Sequence, residues 1–596
     1  MATDTTNGDS GTPHDDVSAT EGQDPSPSPP EPPGDDNQDG TTAAGQVTGD
    51  GGQDDGSAGS SVVRSSMVMA VGTLFSRITG FGRTVVLAAA LGTQLLGDAY
   101  NTALTIPFII EQLFLGGLMA SVIVPFLVKR RKRDEDGGRA TENRLFTAIV
   151  LALLVLTTVA ILSAELLIRL YSGNFTPAQF DVSVALARFL FAQIFFLGMS
   201  GFLSAMLHTR NRFGAPVWAP VLNNLVIMAV GGTFLAVAGP GTTPEEISDA
   251  QIALLGIGTA SGFAVQALIL FLALSAAGFR WRPRLDLRGS GLGEALRTAG
   301  WMFVYIISLQ IALLITANLA NRAGVAAAEG DGVGAGITAY NYAHMLFQLP
   351  YAIIAVSIIT VLLPQMSDRA ADHRWDEVRA DFSRGLRMSS VVLVPAGLAM
   401  AVFAVHICVL VFARGSTSVA DAQNIGYVLV AFALGLVPFS VFQLMLRVFY
   451  AMSDTRTPAF LGMLMLGVHA VLGTTAYLLL DPRYVVVGVA AGYMASFLVG
   501  LLVGGEVLRR RLGGLDGRRI TGTLLRLHVA SAPAVAAGLG IAWWLESQFG
   551  LTVVTTLGAP VLGCVLGAGL FLLSARLLRI EELGVLYDLA RTRLRR

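Results

Sequence analysis

The chain has 596 residues, 53% of them hydrophobic and only 14% charged, with a formal net charge of −1. A soluble domain carries about 25% charged residues, so the composition excludes a soluble globular protein and indicates an all-α, polytopic membrane protein. The near-zero charge hides an asymmetry: residues 1–60 hold 13 Asp/Glu and no Lys/Arg, and the remainder is basic.

Residues 1–62 are rich in Asp, Gly, Pro, Ser and Thr and poor in large apolar side chains. They cannot bury enough surface to offset ordering entropy, so an acidic disordered tail is expected. It is either a solvating tail or a phosphorylated docking arm. Beyond it, segments near the roughly 20 apolar residues of a bilayer span recur. Fourteen are expected, at about 66–91, 98–128, 145–171, 182–207, 217–238, 250–278, 298–322, 337–364, 388–412, 423–451, 459–480, 485–508, 522–545 and 553–577.

Basic residues test this division. Connections after even-numbered spans, with the C-terminal tail, hold most of them, including Lys129–Arg133, Arg280, Arg282, Arg284, Arg288 and Arg509–Arg511. Connections after odd-numbered spans hold four: Arg169, Arg322, Arg414 and Arg483. A missed or extra span would scramble the alternation, so both termini are expected in the cytoplasm.

A faint repeat at a spacing of about 240 residues pairs Tyr100-Asn101 with Tyr340-Asn341, Pro125 with Pro364, and Pro216 with Pro458. Residues 63–295 (spans 1–6) and 296–515 (spans 7–12) therefore read as two related six-helix bundles of like orientation, a known transporter architecture. Residues 516–580 add two C-terminal helices, and 581–596 form a basic tail.

Chemistry concentrates in few places. Span 1 carries Arg77 and Arg83. An arginine at membrane depth costs about 2.5–3.5 kcal/mol and does not deprotonate. Six residues apart on a helix, the two lie about 9 Å along the axis and about 120° around it, and long side chains can still converge on one cavity. Two guanidinium forks suit a diphosphate; alternatively each pairs with a neighbour such as Asp98 or Glu111 of span 2. Asp98 reads as a helix-terminus partner or a transport residue. Glu111, deeper, is either a proton carrier or an arginine's ion-pair partner. Arg188 and Arg447 also lie inside spans.

The turns Asn211-Arg212-Phe213-Gly214-Ala215-Pro216 and Ser453-Asp454-Thr455-Arg456-Thr457-Pro458 link spans 4–5 and 10–11. Such residues make tight helix connections, and the same turns suit hinges or inner-gate contacts of alternating access. His344, His406 and His469 are scattered in spans. Cys408 and Cys564 support neither a disulfide nor a metal site. No nucleotide fingerprint is present. No cofactor, metal or nucleic-acid partner is expected, and transport would run on a gradient or the membrane potential.

Ser76-Arg77-Ile78-Thr79-Gly80-Phe81-Gly82-Arg83, Gly97–Tyr100 with Pro107, Val124-Pro125, Asn211–Phe213 with Pro216 and Pro220, Leu363-Pro364 with Ser367, and Phe449-Tyr450 with Asp454–Pro458 together resemble the MurJ/MviN family of the MOP exporter superfamily. The resemblance runs from about residue 64 to 580. It implies a flippase that moves lipid II, the undecaprenyl-diphosphate-linked peptidoglycan precursor, across the bacterial cytoplasmic membrane. It also implies a transporter rather than an enzyme. Arg77 and Arg83 would line a cationic cavity and hold the diphosphate, and the last two helices would form a lipid groove. Well-studied members carry arginine in the middle of span 2 and in span 8, where this chain has Glu111 and Met345. Gly116-Gly117-Leu118 and Phe347–Pro350 look like actinobacterial members. The expected partners are lipid II, membrane lipids, and wall-synthesis or division proteins through residues 1–62. The rival readings are an exporter of another polyprenyl-linked glycan and a membrane scaffold for wall-synthesis proteins.

Overall fold

The computed structural model describes residues 55–113, 138–210, 212–284, 292–330 and 332–584. The chain divides after Gly59, and the architecture below concerns residues 60–584. Among the described residues every regular element is helical.

The first half contains α1 (Asp55–Leu91), α2 (Leu95–Glu111), α3 (Arg139–Leu162), α4 (Ala164–Ser172), α5 (Pro177–Leu190), α6 (Gln193–His208), α7 (Gly214–Ala238) and α8 (Asp249–Ala276). The second contains α9 (Leu292–Gly330), α10 (Ile337–Pro350), α11 (Val356–Ala371), α12 (Trp375–Phe412), α13 (Val419–Leu434), α14 (Leu436–Ala451), α15 (Arg456–Leu479) and α16 (Pro482–Arg511). The pair α17 (Gly517–Phe549) and α18 (Val553–Leu577) packs together and against α12. Local chemistry sets several helix starts: Ser248 with Gln251, Ser418 with Asp421, and Thr552 with Thr555 form capping boxes, which satisfy otherwise orphaned N–H groups.

The described parts of the expected spans fall on these helices or on pairs of them, but several are broken. Residues 145–171 divide at Ser163, 182–207 at Phe191-Ala192, and 423–451 at Gly435, where α13 and α14 meet at 49°. Among the described residues eleven helices are long and apolar enough to cross a membrane, and the bent α13–α14 pair makes a twelfth. These twelve, among the described residues, fall short of the fourteen expected, because two of the expected spans are incompletely described or broken. Expected span 2 is described only to Leu113. Expected span 8 is interrupted by Pro350 and a π-helical turn, Tyr351–Ala355, leaving pieces of 14 and 16 residues. Pro125, Gly116–Leu118, Lys129–Arg133 and Asn211 lie outside the described residues.

Connections expected on one side of the membrane bond to each other. Away from the basic loops, Ser416 donates its N–H to Ala89 O at 2.8 Å and its hydroxyl to Ala90 O at 2.9 Å. Thr417 Oγ1 donates to Ala88 O at 2.8 Å. Gly415 has φ +57°, and a Cβ there would land on the Ala89 carbonyl, so only glycine permits this approach. Asn321 donates to Thr102 and to Tyr171 O at 2.9 and 2.8 Å. At the basic end, Arg210 pairs with Glu142 at 2.5 Å, the 282–284 backbone donates to Asn143 and Thr147, and Arg511 pairs with Asp454. These basic-end bonds stay within one half. The opposite end joins the two halves.

Candidate functional site

A cavity of about 520 Å³ lies between the halves. From the first half, α2 contributes Asn101, Thr105, Phe108 and Gln112, which share one helix face by their spacing. The second half contributes Tyr305, Gln310 and Thr316 of α9, Asn341, His344 and Gln348 of α10, Phe439 and Gln443 of α14, and Tyr493 and Phe497 of α16. Five of these side chains are carboxamides on the second-half wall or at Gln112. They face a wall of aromatic rings: His344 stacks at 5.8 Å on Phe347 and meets Phe432 at 5.2 Å, and Phe439 meets Phe497 at 4.8 Å. Amides can bond water or a polar headgroup, and rings give flat apolar faces. Such a chamber is costly in a membrane unless something polar fills it.

Above the cavity, the two repeat copies meet. Asp98 is 1% exposed and accepts the Thr338 N–H at 2.9 Å. Asn101 donates to Thr338 Oγ1 at 3.2 Å. A Cβ on Gly336 would overlap the Asp98 carboxylate, so glycine sets this contact. Asp421 accepts the Gly334 N–H at 2.6 Å while capping α13. Asp98 thus bonds across the junction of the halves, at the closed end.

Arg83 lies on α1 within electrostatic reach of the phenols of Tyr100 on α2 and Tyr342 on α10. Next to it, Thr84 bonds Met345 Sδ at 3.2 Å. Arg77 is exposed nearer the start of α1. Neither is on the described wall of the 520 Å³ cavity. Neither has a carboxylate partner among the described residues, so the alternative of pairing with Asp98 or Glu111 is not realised there. Glu111 is half-buried next to the cavity residue Gln112. α1 is fixed by α7: Asn224 donates to Ser76 O and Thr79 Oγ1, both at 3.2 Å, and Phe75 packs on Trp218.

The turn residues are pinned. Asp454 Oδ1 accepts the N–H groups of Arg456 and Thr457 at 2.9 and 3.0 Å, and Arg511 pairs with its other oxygen. Partial burial would raise the Asp454 pKa, but these bonds from Thr457 and Arg511 outweigh it and hold the carboxyl below its ordinary value. Arg456 lies over the rings of Trp301 and Phe460 at 5.3 and 5.6 Å. Pro458 and Pro216 each occupy the third position of a helix, α15 and α7, where proline removes no helical bond. Arg212 is exposed, with its N–H on Leu207 O at 3.0 Å. His469 bonds Thr316 at 2.8 Å, the neighbour-satisfied role of a lone intramembrane histidine.

Charge and turn chemistry drew attention to Arg77, Arg83, Asp98 and Glu111, and missed the amides. Their signal was present: Asn341, His344 and Gln348, like Phe439 and Gln443, recur every three or four residues within apolar stretches.

A second, apolar cleft of about 340 Å³ opens between α12, α17 and α18, lined by Pro395, Phe403, Gly563, Gly567 and Phe571.

These features define a polytopic all-α membrane protein with a polar chamber between two halves. Residues 87–560 match the family model described as "Lipid II flippase MurJ", and the chain belongs to that family. It is 29% identical over 500 residues to a protein of Rhizobium meliloti (strain 1021) named "Probable lipid II flippase MurJ", covering 81% of this chain and 88% of that one. A structure described as "Lipid II flippase MurJ, inward closed conformation" superposes with TM-score 0.67 at 19% identity, over 86% of this chain and 98% of that one. An inward-facing MATE family transporter of the MOP superfamily superposes with TM-score 0.58 at 15% identity, over 76% and 99%.

Proposed function

We propose that the chain flips lipid II across the bacterial cytoplasmic membrane by alternating access, as a transporter and not an enzyme. The observation that carries this reading is the amide-lined chamber between the halves of a chain in this family, bounded at one end by interhalf hydrogen bonds. In this reading residues 63–295 and 296–515 move against each other. The basic loops and both termini lie on the cytoplasmic side, where the substrate is made. Arg77 and Arg83 hold the diphosphate on its way past α1. The polyprenyl tail stays in lipid, and the apolar cleft of α12, α17 and α18 supports a route for it along residues 516–580. Residues 1–62 would dock wall-synthesis or division proteins, a role separable by deletion: a scaffold would lose function without them, and a flippase keeps it.

Depleting the protein and supplying Arg77→Ala or Arg83→Ala copies at normal abundance tests the clamp. Each variant is expected to leave lipid II on the inner leaflet and to fail to restore growth. Full rescue by both would remove the clamp. Accumulation of a different polyprenyl-linked glycan on depletion would reassign the substrate.

A further inference from the structure

Arg447 is an arginine inside a span that the diphosphate clamp does not use. On α14 the cavity wall shows Phe439 and Gln443. Arg447 follows at the next four-residue step, so it shares their face, about 6 Å nearer the basic end. The lining faces of two other second-half helices lead to the same place. That of α9 ends in Tyr305, which is 8% exposed, and that of α10 ends in Gln348, three residues before Tyr351. Arg447 is within electrostatic reach of the phenols of Tyr305, Tyr351 and Tyr450. Its Cζ lies 5.9 Å from the Tyr450 ring centroid.

No carboxylate pairs with Arg447 among the described residues, and its buried Nε has no hydrogen-bond partner. A guanidinium that only anchored a helix end in headgroups would point into lipid. This one lies over the ring of Tyr450, on the helix face that carries the cavity residues Phe439 and Gln443. Guanidinium N–H groups and phenolic O–H groups are all donors that an anionic oxygen can accept from.

We infer that Arg447, with Tyr305, Tyr351 and Tyr450, is a second anion-binding site at the basic-end mouth of the cavity, built wholly from the second half. Its ligand is an anionic oxygen of the lipid-linked substrate, from either the diphosphate or a peptide carboxylate. This rests on the lipid II reading. It adds that the substrate's negative charge is gripped from both halves, by α1 on one side and α14 on the other.

The test is binding to the purified full-length protein in lipid nanodiscs, with lipid II and undecaprenyl diphosphate as separate probes. Arg447→Gln is expected to weaken lipid II binding about tenfold, and Arg447→Lys to recover most of it. Equal weakening of undecaprenyl diphosphate assigns the diphosphate as the ligand, and weakening confined to lipid II assigns a peptide carboxylate. The double variant Tyr305→Phe, Tyr351→Phe, which keeps the packing, is expected to weaken binding severalfold. Wild-type affinity in Arg447→Gln overturns the site. If Arg447→Gln fails to fold, wild-type affinity in the double phenylalanine variant overturns it. Wild-type protein that binds neither probe would instead sink the flippase reading itself.

Discussion

Asp98 shows how one residue changes meaning between sequence and structure. From the sequence it is a helix-terminus partner or a transport residue; in the structure it reaches across to the start of α10 and takes the Thr338 N–H. Removing it leaves that buried donor unpaired, which costs about 1–3 kcal/mol. Asp98→Ala should therefore lower the unfolding temperature of the detergent-purified protein clearly. Asp98→Asn, which keeps an acceptor oxygen, should lower it less, and equal effects would mean the bond is not what matters. Charges at membrane depth are legible in sequence because each is individually costly, so Arg77, Arg83, Asp98 and Glu111 stand out. Asn341, Gln348 and Gln443 do not, because a single amide in a span costs far less and only becomes conspicuous when several point into one chamber. Arg83 is the intermediate case: its cost at membrane depth is visible in the sequence, but its nearness to Tyr100 and Tyr342 depends on how α1 packs in the fold.

The helices themselves were largely readable, since the apolar lengths and the alternation of basic connections require few assumptions. Their breaks were not. The apolar pattern continues through Phe191-Ala192 and through Gly435, and hydropathy carries no information about backbone direction where the side chains stay apolar on both sides. Pro350 was visible, but a proline inside a span specifies a weakness and not the π turn that follows it. At Gly435 the reason for glycine is packing: a Cβ would run into the side chain of Met494 on α16. Gly435→Ala should cost about 1–3 kcal/mol by overpacking. Adding Met494→Ala should then recover more stability than two independent losses allow. Thermal unfolding of the two single variants and the double variant decides it, and simple additivity would mean that the contact does not govern the bend.

At the scale of the whole molecule, the closed end is the feature with mechanical meaning. The Ala88–Ala90 carbonyls of α1 and the Ser416-Thr417 segment come from opposite halves and are joined by one backbone bond and two hydroxyl-to-carbonyl bonds. A disulfide between Ala89→Cys and Ser416→Cys, in a Cys564→Ser background, should lock this end and abolish lipid II transport in proteoliposomes until reductant is added. Transport that continues at full rate with the crosslink formed would exclude opening at this end.

The two ends are also held by different kinds of bond. At the basic end, ion pairs such as Arg210 with Glu142 and Arg511 with Asp454 fasten each half internally. The interhalf closure at the other end uses carbonyls, hydroxyls, amides and the buried Asp98, and no ion pair crosses it among the described residues. Dissolved salt screens exposed charges over about 8–10 Å but hardly touches buried neutral hydrogen bonds. The closed end should therefore keep its strength over a wide range of ionic strength, with the carboxylates of Asp98 and Asp421 shielded from dissolved salt by burial.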